Sequence, residues 1–298
     1  MSPLARRCRL TAFRSWFLAL SSRARRRAPR VRATIRKARL RTTQSSTGSR
    51  SSARDPPPVA AALLMQAPIC MSTFTQPHVL ETSAGRFPLQ EYRLRLAGRE
   101  WAVLHTGAIL SYEDELRFLG ESSSRPPYGV ALWPSAIALA HELVARADAL
   151  RGRQVLELGA GTGLPGIVAA SFGARVVQTD RQQAAMHVCS GNGRRNSIRT
   201  IEYRQADWTT WEDFNLYDYI LGSDILYAEK MQPHLRRIFE SNLAASGIVL
   251  LADPFREISV QFLQSLESEG WKLTLSKWSV GEEGTPRPIG IFELSRAA

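Results

Sequence analysis

QVLELGAGTG occupies residues 154–163, and seventeen residues on the chain reaches Asp180 at the end of VVQTD. An apolar run of Val155, Leu156 and Leu158 leads into three glycines at alternate positions, Gly159, Gly161 and Gly163. Val176 and Val177 form a second apolar run, which ends in a carboxylate. Glycines at a strand end let the backbone approach a ligand closely, because no Cβ stands in the way. A carboxylate at the tip of the next strand can accept hydrogen bonds from both hydroxyls of a ribose. Together they describe a crevice for a nucleoside.

The spacing says which kind. Dinucleotide sites use G-x-G-x-x-G, with a pyrophosphate on the following helix N-terminus. Here the spacing is G-x-G-x-G, with Glu157 two residues ahead of the first glycine. An acid so close to the loop repels a pyrophosphate and suits the cationic ammonium and sulfonium of S-adenosylmethionine. ELGAGTG resembles the first motif of the seven-strand, Rossmann-like methyltransferases. A glycine-rich loop alone can be no more than a tight strand–helix turn; Glu157 before it and Asp180 after it favour the ligand.

The 298 residues carry a formal net charge of +12, but unevenly. Residues 1–54 hold 16 of the 39 Lys and Arg and no Asp or Glu. The other 244 carry 23 basic and 27 acidic side chains, a net of −4. A mildly acidic body argues against nucleic acid as the partner of the folded domain. Residues 1–78 are expected to be a disordered tail, rich in Arg and Ser and without apolar periodicity. Three readings compete for it: a transit peptide, a nucleic-acid-binding arm, or sequence upstream of a start at Met65 or Met71. No run of about 18 apolar residues is present, so no membrane span is expected. Cys8, Cys70 and Cys189 lie far apart and make neither a disulfide framework nor a zinc pattern. A reducing, cytoplasmic setting is expected, or an organelle if the tail is a transit peptide.

Residues 79–298 read as one domain. Alternation on both sides of AGR (97–99) predicts a hairpin over 89–104. Ser111 and Asp114 predict a capped helix at 112–119, and apolar spacing predicts another over 132–150. Strands then follow at 154–158, 175–179, 200–205, 218–223, 247–252, 271–277 and 288–294. Helices at 164–172, 182–190, 230–243 and 256–269 alternate with most of them. This order implies a doubly wound α/β fold with a mostly parallel sheet, and a ligand crevice at the carboxyl ends of its strands.

The chemistry should therefore collect at strand ends. The third strand ends in Ala206-Asp207-Trp208, where Asp207 can accept from an adenine amine and Trp208 can cover the ring; the plainer reading is a turn with a packing Trp. The fourth runs into GSDILY (222–227), with Ser223 placed for its backbone to meet the cofactor. Asp224 and Tyr227 are the catalytic candidates. A carboxylate can orient an amine, an aromatic face can stabilise a cationic centre, and partial desolvation lowers the pKa of a lysine. Asp224 as a helix cap and Tyr227 as a core aromatic are the alternatives.

D-x-x-Y after the fourth strand resembles the seven-strand protein-lysine methyltransferases. ALWPS (131–135) resembles that family's Leu-Trp-Pro element, which implies that Trp133 lies against the cofactor. ADPFR (252–256) resembles the Asp-Pro-Gly-Arg element of the electron-transfer-flavoprotein lysine methyltransferase branch, with Phe255 where Gly is usual. RPIGIFEL (287–294) resembles the last strand of its bacterial members; nicotinamide N-methyltransferase-like proteins belong to the same family. The resemblance covers about residues 90–295 and implies a protein-lysine methyltransferase. Glu157, Gly159, Gly161 and Gly163 would hold the methionine end, Asp180 the ribose, and Asp207 and Trp208 the adenine. Metal ligands are not expected. A small-molecule N-methyltransferase lidded by the hairpin and residues 120–129, or a cofactor-binding protein without turnover, are the alternatives.

Overall fold

The computed structural model describes residues 8–9, 78–82, 85–120, 128–281 and 286–296. The expected disorder of residues 1–78 therefore falls outside the described residues, apart from Cys8, Arg9 and His78. A strand of two residues, β1 (Cys8–Arg9), is placed at a sheet edge. A three-stranded antiparallel sheet follows: β2 (His78–Thr82), β3 (Gly85–Leu96) and β4 (Arg99–His105). The expected hairpin is its β3–β4 half, turned at Ala97 and Gly98, both with positive φ. β2 adds a third strand, one the sequence reading did not anticipate.

α1 (Tyr112–Gly120) opens on a reciprocal cap. Ser111 Oγ accepts the Asp114 N–H at 3.0 Å, and Asp114 Oδ2 accepts the Ser111 N–H at 2.8 Å. α2 (Pro134–Ala145) and α3 (Ala147–Leu150) take the place of one expected helix. The break falls at Arg146, whose guanidinium reaches Glu142 and Glu293, each at 2.7 Å. A partly buried cation between two carboxylates holds its side chain in place, and the backbone there leaves the helical region with φ −110.

The remaining elements alternate as expected: β5 (Gln154–Leu158), α4 (Leu164–Ser171), β6 (Arg175–Asp180), α5 (Gln183–Arg195), β7 (Glu202–Gln205), β8 (Tyr217–Ser223), α6 (Gln232–Asn242), β9 (Leu243–Asp253), α7 (Glu257–Ser268), β10 (Trp271–Val280) and β11 (Arg287–Arg296). They build the order β10-β11-β9-β8-β5-β6-β7, with β1 outside β10. β9, β8, β5, β6 and β7 are parallel, and β11 is antiparallel to both its neighbours. Central strands covered on both faces are apolar nearly throughout, as in Val155, Leu156 and Leu158 of β5 and Ile220 and Leu221 of β8, all fully buried. Ile137, Leu139, Leu143, Ile167 and Val168 of α2 and α4 pack in the main core. The order reverses beside β5, which sends consecutive connections to opposite sides and opens a crevice at its carboxyl end.

α5 runs five residues past its expected end, through SGNGRR. Asn192 on that extension and Asn196, which caps it, dock the small sheet. Asn192 Oδ1 accepts the Leu104 N–H at 2.8 Å and its Nδ2 donates to Leu104 O at 3.0 Å. Asn196 does the same with Ala102, at 3.0 and 2.8 Å. Their amides stand in for a neighbouring strand and satisfy the β4 edge. Asn192 Nδ2 also donates to Thr162 O at 2.9 Å, so the small sheet and the glycine loop share one anchor. Among the described residues no helix is long and apolar enough to cross a membrane.

Candidate active site

The carboxyl ends of β5, β6, β7, β8 and β9 open into one crevice of about 640 Å³. That volume lies in the range of small-molecule sites. Gly159, Ala160, Gly161, Thr162, Asp180, Asp207 and Trp208 line one part of it. Ser223, Asp224, Tyr227 and Arg256 line another, and Tyr128, Trp133 and Glu115 complete the wall.

The loop bends back on itself through three left-handed glycines, Gly159, Gly161 and Gly163. At Gly161, φ is +54 and an added Cβ would lie 2.6 Å from Gly129 O. A side chain there would need both strained dihedrals and a displaced backbone. Asp180 closes the loop from the next strand: Oδ2 accepts the Gly161 N–H at 3.2 Å and Oδ1 the Gln182 N–H at 2.9 Å. Its carboxyl is raised above the ordinary range by burial, against the pull of those two amides.

Glu157 is not where the sequence reading puts it. It is 1% exposed and lies beneath the loop, away from the crevice lining. Oε2 accepts the Gly166 N–H at 3.0 Å and the Gln178 Nε2–H at 2.6 Å, while Oε1 has no hydrogen-bond partner. Strand alternation turns position 157 towards the face that α4 covers. Its carboxylate there meets an otherwise unpaired N–H in the first turn of α4. Burial raises its pKa from 4.5 to about 7, with Asp180 adding to the rise and the two hydrogen bonds opposing it. Gly163 likewise shapes the loop without lining the crevice, as the N-cap of α4 with φ +79.

Trp133 precedes Pro134 at the start of α2 and donates its indole N–H to Tyr128 O at 3.3 Å. Its ring stacks on Tyr128, 6.4 Å between centroids and 7° apart in plane. Tyr128 carries no sequence motif and was not anticipated. Trp208 faces the glycine loop, with its ring edge 3.4 Å from where a Gly159 Cβ would stand. Asp207 serves partly as a cap: Oδ1 accepts from the Thr209 N–H at 2.8 Å and the Thr209 hydroxyl at 2.7 Å. It nevertheless lines the crevice beside Trp208.

D-x-x-Y is a non-helical turn. Ile225 and Leu226 are buried, 4% and 1% exposed, and pin the turn to the core. The outer residues are thereby left at the crevice. Asp224 has φ +58, and its N–H donates to Ala252 O at 2.8 Å. No helix follows it directly, so it is not a helix cap. Tyr227 is 63% exposed and is not a core aromatic.

Arg256, in the ADPFR segment, has no role that residue type or spacing assigns. Its Nη1 donates to Asp224 Oδ1 and lies 3.5 Å from Asp253 Oδ2. Asp224 Oδ2 is buried with no hydrogen-bond partner. Burial raises the Asp224 carboxyl, Arg256 pulls it down, and Asp253 and Glu115 push it up again. Phe255, just before Arg256, holds φ +66, which is the reason Gly suits that position. Its ring packs edge-on against Phe292 at 5.8 Å and under the Lys277 ammonium at 5.2 Å.

Residues 112–269 match the profile of the lysine methyltransferase family. The chain is 32% identical over 200 residues to the protein N-lysine methyltransferase METTL21A of Danio rerio, covering 63% of this chain and 78% of that protein. Against METTL21A of Xenopus tropicalis the identity is 39% over 135 residues, 43% of this chain and 62% of the relative. The histone-arginine methyltransferase METTL23 of Mus musculus is 32% identical over 163 residues, 51% of this chain and 60% of that protein. Among solved structures, the ribosomal protein L11 methylase of Lactobacillus delbrueckii subsp. bulgaricus superposes with a TM-score of 0.44 at 22% identity, over 60% of this chain and 89% of that one.

Proposed function

The chain belongs to the lysine methyltransferase family, and on that premise we propose that it transfers a methyl group from S-adenosylmethionine to a lysine side chain of a protein. The observation that carries the reading is that one crevice holds both halves of such a site. A glycine loop and Asp180 stand at one part, and Asp224 and Tyr227 at another.

The residues present fit the cofactor. Asp180 lies at a strand tip within reach of a diol, Asp207 and Trp208 can take the adenine, and Trp133 with Tyr128 supplies an aromatic wall. The methionine end falls to the backbone of residues 159–162, with Glu157 holding the loop from below. When bound, S-adenosylmethionine supplies an electrophilic methyl group on a sulfonium.

The chain's own part is to deliver a neutral amine in line with that methyl. Asp224 orients the amine, and the Tyr227 ring shields the cationic centre that passes from sulfur to nitrogen. A bound cofactor would supply its methyl to the nitrogen lone pair and leave as the neutral thioether, and the methylated ammonium would release its proton to water. An exposed Tyr227 at the mouth favours a macromolecular substrate over an enclosed small molecule. The lid considered at residues 120–129 lies outside the described residues but for 120, 128 and 129. We place the protein in the cytoplasm, or in an organelle if its basic tail serves as a transit peptide, with neither nucleic acid nor membrane as partner of the folded domain.

Incubation with tritiated cofactor and a cell lysate tests the reading. Label should enter acid-precipitable protein and appear as methyllysine after hydrolysis. Label only in small molecules would overturn it.

A further inference from the structure

Relatives of this chain are named for lysine and for arginine transfer, so family alone does not choose the acceptor. The carboxylates around the substrate end do. Asp253 is fully buried and used up: Oδ1 accepts the Arg256 N–H at 2.8 Å, and Oδ2 accepts the Ser259 hydroxyl at 2.7 Å. Glu115 Oε2 accepts from Arg287 Nη2 at 2.7 Å. Asp224 Oδ1 is taken by Arg256, and its buried Oδ2 has no hydrogen-bond partner.

We propose that Arg256 sets the choice of a lysine amine over an arginine guanidinium, by holding Asp224 Oδ1 and offsetting the charge of Asp224. The proposal rests on the methyltransferase reading of this crevice. A guanidinium binds a carboxylate best through two parallel N–H···O bonds, and it stays charged throughout the biological pH range. Here one oxygen is occupied, and a cation already stands against the carboxylate. A lysine can meet the same site by giving up its proton, and one acceptor oxygen is enough to orient an NH₂ group.

Arg256 also frees the lone pair. With Arg256 in place, its charge offsets part of the negative charge of Asp224 and Asp253, which it faces together, and weakens the hold of the site on the amine's proton. Without it, the balancing proton sits between carboxylate and amine. Either the amine holds the proton or the acid donates it to the nitrogen; in both cases the lone pair is engaged. The other ionisable groups bearing on Asp224 are Asp253 and Glu115, whose negative charges favour retention of that proton.

Arg256→Gln and Arg256→Lys test this as full-length proteins with tritiated S-adenosylmethionine and a cell lysate. Methyllysine and methylarginine are quantified after hydrolysis from pH 6 to 9.5, and melting temperature and cofactor affinity are followed in parallel. Wild type should yield methyllysine without methylarginine. Arg256→Gln should lose about 10-fold in rate at neutral pH, and its alkaline-rising limb should move up by about one pH unit, the lower end of the effect of an adjacent opposite charge. Arg256→Lys keeps the charge and should restore the limb, and cofactor affinity should stay within about twofold in both. A limb unmoved in Arg256→Gln, or activity lost only in step with the folded fraction, overturns the inference while leaving methyllysine formation standing. Methylarginine from wild type, or label confined to small molecules, overturns the inference together with the reading beneath it.

Discussion

Glu157 Oε2 accepts the Gly166 N–H at 3.0 Å, and this bond ties the strand before the glycine loop to the helix after it. The loop is held from underneath by a fully buried carboxylate. Its ligand face is left to backbone atoms and to Asp180.

That arrangement makes stability depend on pH. Glu157 has a folded pKa of about 7 against an ordinary 4.5. The folded state therefore binds more protons than the unfolded state between these values, and stability falls as pH rises through that window. The full effect is on the order of 3 kcal/mol. Denaturant unfolding at pH 5 and pH 7.5 should show the loss in wild type and a much flatter response in Glu157→Gln. Equal slopes in the two proteins would remove Glu157 as the source.

Asp180→Ala should weaken cofactor binding by about 1.5–3 kcal/mol, the range for hydrogen bonds to a charged group. Calorimetric titration with S-adenosylmethionine gives the number directly. Unchanged affinity would take Asp180 away from the ribose.

Tyr227 lies exposed at the mouth, so truncating it should cost little stability, within about 0.5 kcal/mol. Turnover of Tyr227→Ala should nevertheless drop by about 10-fold, the scale of a partly desolvated cation–π contact. Thermal melts and initial rates on one preparation separate the two effects. A normal rate would mean that the ring does not reach the reacting nitrogen.

Phe255 sets side-chain packing against backbone strain. Phe255→Ala should lose the ring's contacts with Phe292 and Lys277 and keep the left-handed backbone. Phe255→Gly loses the same contacts but relieves a conformation that costs roughly 1 kcal/mol for a residue with a Cβ. The Gly variant should therefore be the more stable of the two by about that amount in urea unfolding, reversing the usual advantage of Ala. An Ala variant as stable as the Gly variant would show that position 255 carries no strain.

Deleting residues 1–70 should leave folding and methyl transfer unchanged if the catalytic domain is self-sufficient. Melting temperature and lysate labelling of the shortened protein decide it, and an insoluble or inactive product would assign the tail a part in the fold.

The alternation of strands and helices was legible in the sequence because it rests on local rules. The short apolar runs of β5 and β6, glycines after the first and a carboxylate at the end of the second follow from periodicity and backbone freedom alone. So does the Ser111–Asp114 cap. Boundaries failed where tertiary contacts override local signals. SGNGRR looks like a helix end, yet Asn192 within it and Asn196 at its C-cap tie it to the β4 backbone. Arg146 breaks a continuous apolar pattern because two carboxylates from separate elements converge on it.

In the site, sequence alone gave the glycine loop, Asp180, Asp224 and Tyr227 as residue types at strand ends. Side-chain direction was beyond it. Glu157 reads as a ligand contact because it adjoins the loop, but the two-residue repeat of a strand turns it to the face beneath α4. The Arg256–Asp224 pair joins residues 32 positions apart, just beyond the ends of neighbouring strands, and no local pattern signals it. Only the parallel pairing of β8 with β9 brings those strand ends together, and with them the charge balance that decides what the crevice can accept.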